Sequence, residues 1–128
     1  MQPKLTRALA KKRGFRSLLE LKTSAQLDEQ KRKWEYEPKA RKIKFQKPPS
    51  TYVPDFVLAT FIIEVKGRFK SADRTKHLLI KEQHPEVDIR FVFDKDNTLT
   101  KVSTTKYSDW CEKHGFLYAF NEVPKSWR

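Results

Sequence analysis

Apolar and polar positions change their spacing several times along the chain, and each change marks an element. Leu18, Leu21 and Ala25 recur at i, i+3 and i+7, the spacing of one helical face, and Ser17 stands before them as an N-cap; a helix is expected over 18–33. Trp34–Glu37 can start a strand. Between Pro38 and Pro49, Ile43 and Phe45 alternate with Lys42 and Lys44, a period of two that predicts an extended basic ribbon. Residues 52–58 and 61–66 read as two strands joined by a short turn at Ala59 and Thr60, a hairpin closed by Gly67. Ser71 is expected to cap a helix running to about His84, with Asp73 in its first turn and Pro85 as its stop. Residues 89–93 are nearly continuous in apolar side chains, as in a buried strand. Thr104 or Thr105 opens a last helix, on which Tyr107, Trp110, Cys111 and His114 fall at i, i+3, i+4 and i+7 before the stop at Gly115. The expected fold is α/β, a central mixed sheet flanked by helices, without an internal repeat.

Composition narrows what such a fold can do. At 128 residues and 15.2 kDa the chain has the size of one domain. No apolar run approaches the roughly 18–20 residues of a membrane span, and the basic start lacks the apolar stretch of a secretory signal. The single cysteine, Cys111, forbids an intramolecular disulfide and fits a reducing cytosol. A membrane protein, a disulfide-stapled secreted module and a large multidomain enzyme are excluded.

The net charge of +12 points to an anionic partner, most often nucleic acid. It is unevenly spread: residues 1–49 carry 15 Lys and Arg against 5 Asp and Glu, whereas residues 50–128 carry 13 against 11. The first 16 residues hold Lys4, Arg7, Lys11, Lys12, Arg13 and Arg16 with no acid, and read as a flexible basic arm ahead of one domain over 17–128. Phosphate contact and mere solubilisation are both open for that arm. Lys42 and Lys44 on the ribbon, and Arg74, Lys76, His77 and Lys81 on the second long helix, extend the candidate DNA surface; an ordinary solvated helix face is the alternative for the histidines His77 and His84. Cys111 and His114 have the spacing of a zinc pair, but without a second pair nearby they read as core. There is no Gly-rich phosphate loop, no Ser/His/Asp order and no Cys₄ site, so no small-molecule cofactor is expected.

The chemistry sits in the hairpin. Glu64 and Lys66 are two apart on a strand, so their side chains leave the same face, and Asp55 on the neighbouring strand can meet them across the ladder. Two carboxylates converging there could bind Mg²⁺ through oxygen, leaving positions for water and phosphate. Such an ion stabilises charge on phosphate and acidifies a bound water, while the Lys66 ammonium could hold that water or neutralise developing charge. Phe61, Ile62, Ile63 and Val65 make this an internal strand, where a carboxylate and a lysine need a partner. An acid-x-Lys triplet is permissive by itself, since Glu20-Leu21-Lys22 is another. Asp55 capping a turn beside a solvated Glu64/Lys66 edge pair remains the plain alternative.

Longer stretches are more specific. Phe15-Arg16-Ser17-Leu18-Leu19-Glu20, Trp34-Glu35-Tyr36-Glu37, Tyr52-Val53-Pro54-Asp55-Phe56, Glu64-Val65-Lys66-Gly67, the run Lys76-His77-Leu78-Leu79-Ile80-Lys81-Glu82-Gln83-His84-Pro85-Glu86 leading into Asp88-Ile89-Arg90, and Cys111-Glu112-Lys113-His114-Gly115 follow one another in order. Together, from about Phe15 to Trp127, they resemble bacteriophage endonuclease I, the Holliday-junction-resolving nucleases of T-odd phages within the PD-(D/E)xK nuclease fold. The resemblance implies a homodimer that cuts four-way junctions and other branched DNA with Mg²⁺ or Mn²⁺, in the cytoplasm of an infected bacterial host. It implies a catalytic set of Glu20, Glu35, Asp55, Glu64 and Lys66, and a metal set of Glu20, Asp55, Glu64 and Val65. It also implies a domain swap through a bridging strand near residues 41–48, joining 17–40 to 49–128, so that Glu20 of one chain serves Asp55, Glu64 and Lys66 of the other. At about 100° per residue, Glu20 lies roughly opposite the Leu18/Leu21/Ala25 stripe, pointing off the face its helix is expected to bury. The Ala59-Thr60 turn is one residue shorter than the family's. A non-catalytic basic nucleic-acid-binding protein, and a related nuclease acting on unbranched DNA, are the competing functions.

Overall fold

The computed structural model describes residues 4–45 and 50–128. Among these residues four α-helices, α1 (Arg7–Lys12), α2 (Leu18–Glu29), α3 (Ser71–Gln83) and α4 (Tyr107–His114), accompany seven strands: β1 (Glu35–Tyr36), β2 (Ile43–Phe45), β3 (Ser50–Tyr52), β4 (Phe56–Val57), β5 (Ile62–Lys66), β6 (Ile89–Phe93) and β7 (Tyr118–Phe120). Five strands form one mixed sheet in the order β1-β4-β5-β6-β7. Its first two pairings are antiparallel, and β5-β6 and β6-β7 are parallel. The ribbon β2-β3 stands apart as an antiparallel pair with Ile43 opposite Tyr52. The expected α/β class and flanked mixed sheet hold.

Alternation along β5 and β6 divides the core in two. Ile62, Ile89, Phe91 and Phe93 face a layer made by α3 and α4 with Phe69, Ile80, Trp110 and Phe116. Ile63, Val65 and Val92 face the opposite layer with Leu19 and Leu27 of α2 and Trp127 near the chain end. Glu64 and Lys66 therefore leave β5 on the α3 side, two and four residues after Ile62.

Several expectations are corrected, each for a local reason. The arm over 1–16 contains α1, whose Thr6 Oγ1 accepts from the Leu9 N–H at 3.1 Å and whose Ala10 is buried. Helix α2 stops at Glu29 rather than 33 because Lys31 turns left-handed at φ 56° and the Arg32 N–H reaches back to the Leu27 carbonyl. Its buried side chains are Leu19, Glu20, Leu21, Thr23, Ser24 and Leu27, not one narrow stripe, since α1 packs on one side of it and β5 on another. The strand expected over 52–58 is split: Pro54 interrupts the ladder, leaving β3 in the ribbon and β4 in the main sheet. Lys70, not Ser71, is the N-cap of α3, its N–H held by Asp73 Oδ2 at 3.1 Å. Helix α4 begins at Tyr107, after a bridge between Thr98 and Lys106 holds the preceding residues extended. It ends at Gly115, whose φ of 76° suits a residue without Cβ. Strand β7 carries no clear alternation in the sequence; it is recruited by the free edge of β6.

His77, a candidate phosphate contact, is instead fully buried in α3. Its ring meets Tyr52 and Phe91 edge-on at 5.2 and 4.9 Å, and neither ring nitrogen has a hydrogen-bond partner. Burial, then the charges of Lys76 and Lys66, hold it well below the usual imidazole value. As pH falls through about 6.5 the unfolded chain takes up a proton that the folded state refuses, so stability present above that pH is lost below it. His77→Phe keeps the ring contacts and removes both unpaired nitrogens. Chemical denaturation should show it level with wild type or up to about 1 kcal/mol more stable at pH 7, with the gain growing towards pH 5. A gain that shrinks towards pH 5 would show that this imidazole is not the group responsible.

Candidate active site

The site is built where β4 parts from β5. Their pairing ends at Phe56 opposite Ile63, and the Val65 N–H beyond it is satisfied by a side chain: Asp55 Oδ2 accepts it at 2.9 Å. Asp55 and Glu64 are thus both held against one stretch of β5, each almost wholly buried at 3% and 4% exposure. Tyr52 Oη donates to Glu64 Oε1 at 2.6 Å. Lys66 Nζ lies 3.4 Å from Glu64 Oε2 and 3.4 Å from Asp73 Oδ1, so the first-turn aspartate that holds the Lys70 N–H at the start of α3 also orients the lysine.

A cleft of about 620 Å³ opens over these groups, with Arg16, Glu20, Glu37, Lys39 and Lys76 also on its walls. Glu20 reaches it within the same chain. Ser17 Oγ accepts the Glu20 N–H at 3.0 Å, and Glu20 Oε1 accepts from the Arg16 N–H and from Tyr36 Oη, both at 2.8 Å. This cap geometry draws the carboxylate back over the helix start, so Glu20 is 5% exposed rather than pointing off the back of α2. Arg16 spans the mouth: its Nη2 pairs with Glu37 Oε2 and lies 3.5 Å from Asp55 Oδ1.

The electrostatics follow from the crowding. Burial, and next the charge of Glu64, push the Asp55 carboxyl up to about 8, against the opposing pull of the Val65 N–H and Lys66. Burial works against the charge on Lys66, but Glu64, then Asp73 and Asp55, outweigh it and hold the ammonium above its ordinary value. Tyr52 is raised well above the usual phenol by burial, then by Glu64 and Asp55. Two buried carboxylates that repel one another beside a single lysine form a site short of positive charge.

Beyond the cleft, a second hollow of about 700 Å³ shares Arg16 and Gly67 with it and is bordered by Arg7, Lys11 and Lys22. Over residues 1–128 the chain matches the family described as phage endonuclease I. The chain belongs to the phage endonuclease I family, and is thereby an endonuclease. It is 49% identical over 118 residues to Endonuclease I of Escherichia phage T7, covering 89% of this chain and 78% of that protein. It is 50% identical over 116 residues to Endodeoxyribonuclease 1 of Enterobacteria phage T3, covering 88% and 75%.

Among the residues expected from the sequence, the fold brings Glu20, Asp55, Glu64, Val65 and Lys66 to one cleft. It does not bring Glu35 there: Glu35 is exposed on β1 opposite Val57, and Glu37, two residues on, lines the cleft after a left-handed turn at φ 44°. Lys4, Arg7, Lys11, Lys12, Arg13, Lys42, Lys44 and Lys81 are exposed, as a phosphate contact requires, whereas His77 is not. Lys76 is half-buried on the cleft wall. Arg74 is half-buried and tied by Nη1 to the Phe69 carbonyl at 2.7 Å. Cys111 is core, raised to about 12 by burial, then by Asp96 and Glu112. Residues 46–48 of the expected bridge lie outside the described residues; its described part holds the end of a 3₁₀ turn at Lys39–Arg41 and β2. Sequence reasoning missed Tyr52 and Asp73 as site residues. Tyr52 is separated from the hairpin by the Pro54 break, and Asp73 carries the ordinary signature of a helix cap.

Proposed function

We propose that the chain is a divalent-metal-dependent deoxyribonuclease that hydrolyses phosphodiesters in branched DNA, four-way junctions above all, in the cytoplasm of a phage-infected bacterium. The observation that carries the reading is the buried Asp55/Glu64 pair beside Lys66 at the base of a cleft whose walls also carry Arg16, Lys39 and Lys76. A purely binding protein has no use for two repelling carboxylates at 3% and 4% exposure. The relatives in phages T7 and T3 carry the names Endonuclease I and Endodeoxyribonuclease 1.

The donor set fits Mg²⁺ or Mn²⁺. Its groups are hard carboxylate oxygens in a cleft open to water, and a cation there would offset both the burial and the Glu64 repulsion that raise Asp55. Among the described residues no three His, Cys, Asp or Glu side chains form a ligand cluster, so Glu20 does not complete a three-carboxylate set with Asp55 and Glu64. Bound by Asp55 and Glu64, with main-chain oxygen of Val65 available, such an ion supplies charge for the phosphate and acidity for water. Lys66 holds its ammonium against Glu64 and the cleft, where it stabilises charge that develops on the reacting phosphate. Arg16 and Lys76 on the walls hold flanking phosphates, and the exposed lysines and arginines of α1 and β2 supply the wider electrostatic attraction. Resolution of a junction requires two cuts, which a homodimer joined through the β2-β3 ribbon would provide.

The experiment compares a four-way junction with a linear duplex of the same length at about 0.15 M salt. Binding to the junction should be tighter by at least about 10-fold, equivalent to 1.4 kcal/mol, and cleavage should need Mg²⁺ or Mn²⁺ and stop with EDTA. Equal affinity for the two DNAs would remove junction selectivity and leave a nuclease of unbranched DNA; full activity in EDTA would remove the metal.

A further inference from the structure

Tyr52 grips the candidate metal ligand Glu64 from behind. It is 2% exposed, and its hydroxyl lies 2.6 Å from Glu64 Oε1. The ring cannot swing away: His77 meets it edge-on at 5.2 Å, Lys76 Nζ lies 5.5 Å from its centroid, and its backbone is registered opposite Ile43 in the ribbon. The two Glu64 oxygens are therefore unlike. Oε1 accepts a short hydrogen bond from a fixed phenol, while Oε2 is the oxygen nearest Lys66, at 3.4 Å.

We infer that Tyr52 is a positioning residue that makes Glu64 a one-oxygen ligand and so sets which divalent ion the site prefers. The inference rests on the metal reading above. A hydrogen bond of this length fixes the carboxylate plane and occupies Oε1, leaving Oε2, on the Lys66 side, as the oxygen a cation would take. Mg²⁺ demands near-octahedral geometry and gains from a carboxylate that offers one oxygen at a set angle. Ca²⁺ takes more ligands in looser geometry and accepts a carboxylate through both oxygens. Freed from the phenol, Glu64 could present both, and discrimination between the ions would fall. Outer hydrogen-bond partners of this kind commonly change metal affinity by 10–100-fold.

The test is calorimetric titration of the DNA-free protein with MgCl₂ and, separately, CaCl₂, for wild type, Tyr52→Phe, Tyr52→Met and Asp55→Asn. Both Tyr52 variants keep an apolar body and drop the hydroxyl, so one serves if the other fails to fold. The expected result is Mg²⁺ affinity about 10-fold weaker in the Tyr52 variants, with Ca²⁺ affinity unchanged or tighter, so that the Mg²⁺/Ca²⁺ preference falls. A mere loss of packing would weaken both ions together. An unchanged preference in the Tyr52 variants, with wild-type binding that Asp55→Asn abolishes, overturns the role of Tyr52 and leaves the metal site standing. Wild type and Asp55→Asn binding Mg²⁺ equally poorly overturns the metal reading, and this inference with it.

Discussion

Asp55→Asn, Glu64→Gln and Lys66→Ala should each lower the rate of junction cleavage by about 100- to 1,000-fold, the scale seen when a group that stabilises transition-state charge is removed. Junction affinity should stay within a few-fold of wild type. The separation follows from where the groups lie. Asp55 and Glu64 are at 3% and 4% exposure beneath the cleft floor, and a DNA backbone meets the exposed Arg7, Lys11, Lys42 and Lys44 first. Affinity is a matter of phosphates neutralised and falls with salt, whereas the rate depends on charge and water placed at the scissile bond. Removing a carboxylate from this cleft can even tighten binding to a polyanion. Gel shift and single-turnover cleavage on one four-way junction measure both quantities. Cleavage within a few-fold of wild type in any of the three variants would take that residue out of the catalytic set.

Much of this site was legible in the sequence, for reasons that can be given residue by residue. Strands β5 and β6 have long apolar runs whose period admits one reading, so Ile62–Lys66 and Ile89–Phe93 emerge with nearly their final bounds, and the shared face of Glu64 and Lys66 follows from a period of two. Asp55 was placed beside them through the hairpin, yet the contact that fixes it, its acceptance of the Val65 N–H, arises only because Pro54 ends the ladder. Glu20 lies in the cleft as the resemblance implies, but it is buried there because α2 is covered by both α1 and the sheet, whereas a helical wheel assumes one buried face. The reach of its carboxylate to the Arg16 N–H and Tyr36 Oη belongs to three-dimensional packing rather than to spacing. His77 shared its helical face with no obvious apolar stripe, and only the arrival of Tyr52 and Phe91 from two separate sheets buries it. Glu37 replaced Glu35 in the cleft through one left-handed residue, a local turn that alternation along a short strand does not foretell.

In metal-free buffer, Asp55→Asn should melt at a higher temperature than wild type at pH 8, with the difference closing as pH falls to 6.5 and below. The Asp55 carboxyl is pushed up to about 8 in the folded state, by burial first and Glu64 second, from an unfolded value near the ordinary carboxylate range. Between those values the folded state holds a proton that the unfolded chain has released, so the contribution of Asp55 to stability is fully present at low pH and is lost as pH rises through about 8. His77 works in the opposite sense but below about 6.5, where its unfolded form titrates, so the interval from pH 6.5 to 8 isolates Asp55. Asparagine can still accept the Val65 N–H through its Oδ1, and it carries no charge to repel Glu64. The expected gain at pH 8 is about 1–3 kcal/mol, the scale on which an uncompensated buried ion pair yields to a neutral replacement, or about 4–12 °C in a domain of this size. Adding Mg²⁺ should raise the melting point of wild type and leave Asp55→Asn nearly unmoved, because a ligand stabilises only the state that binds it. Parallel melting curves for the two proteins across pH 6.5–8, with and without Mg²⁺, would show that Asp55 neither stores this repulsion nor holds the ion.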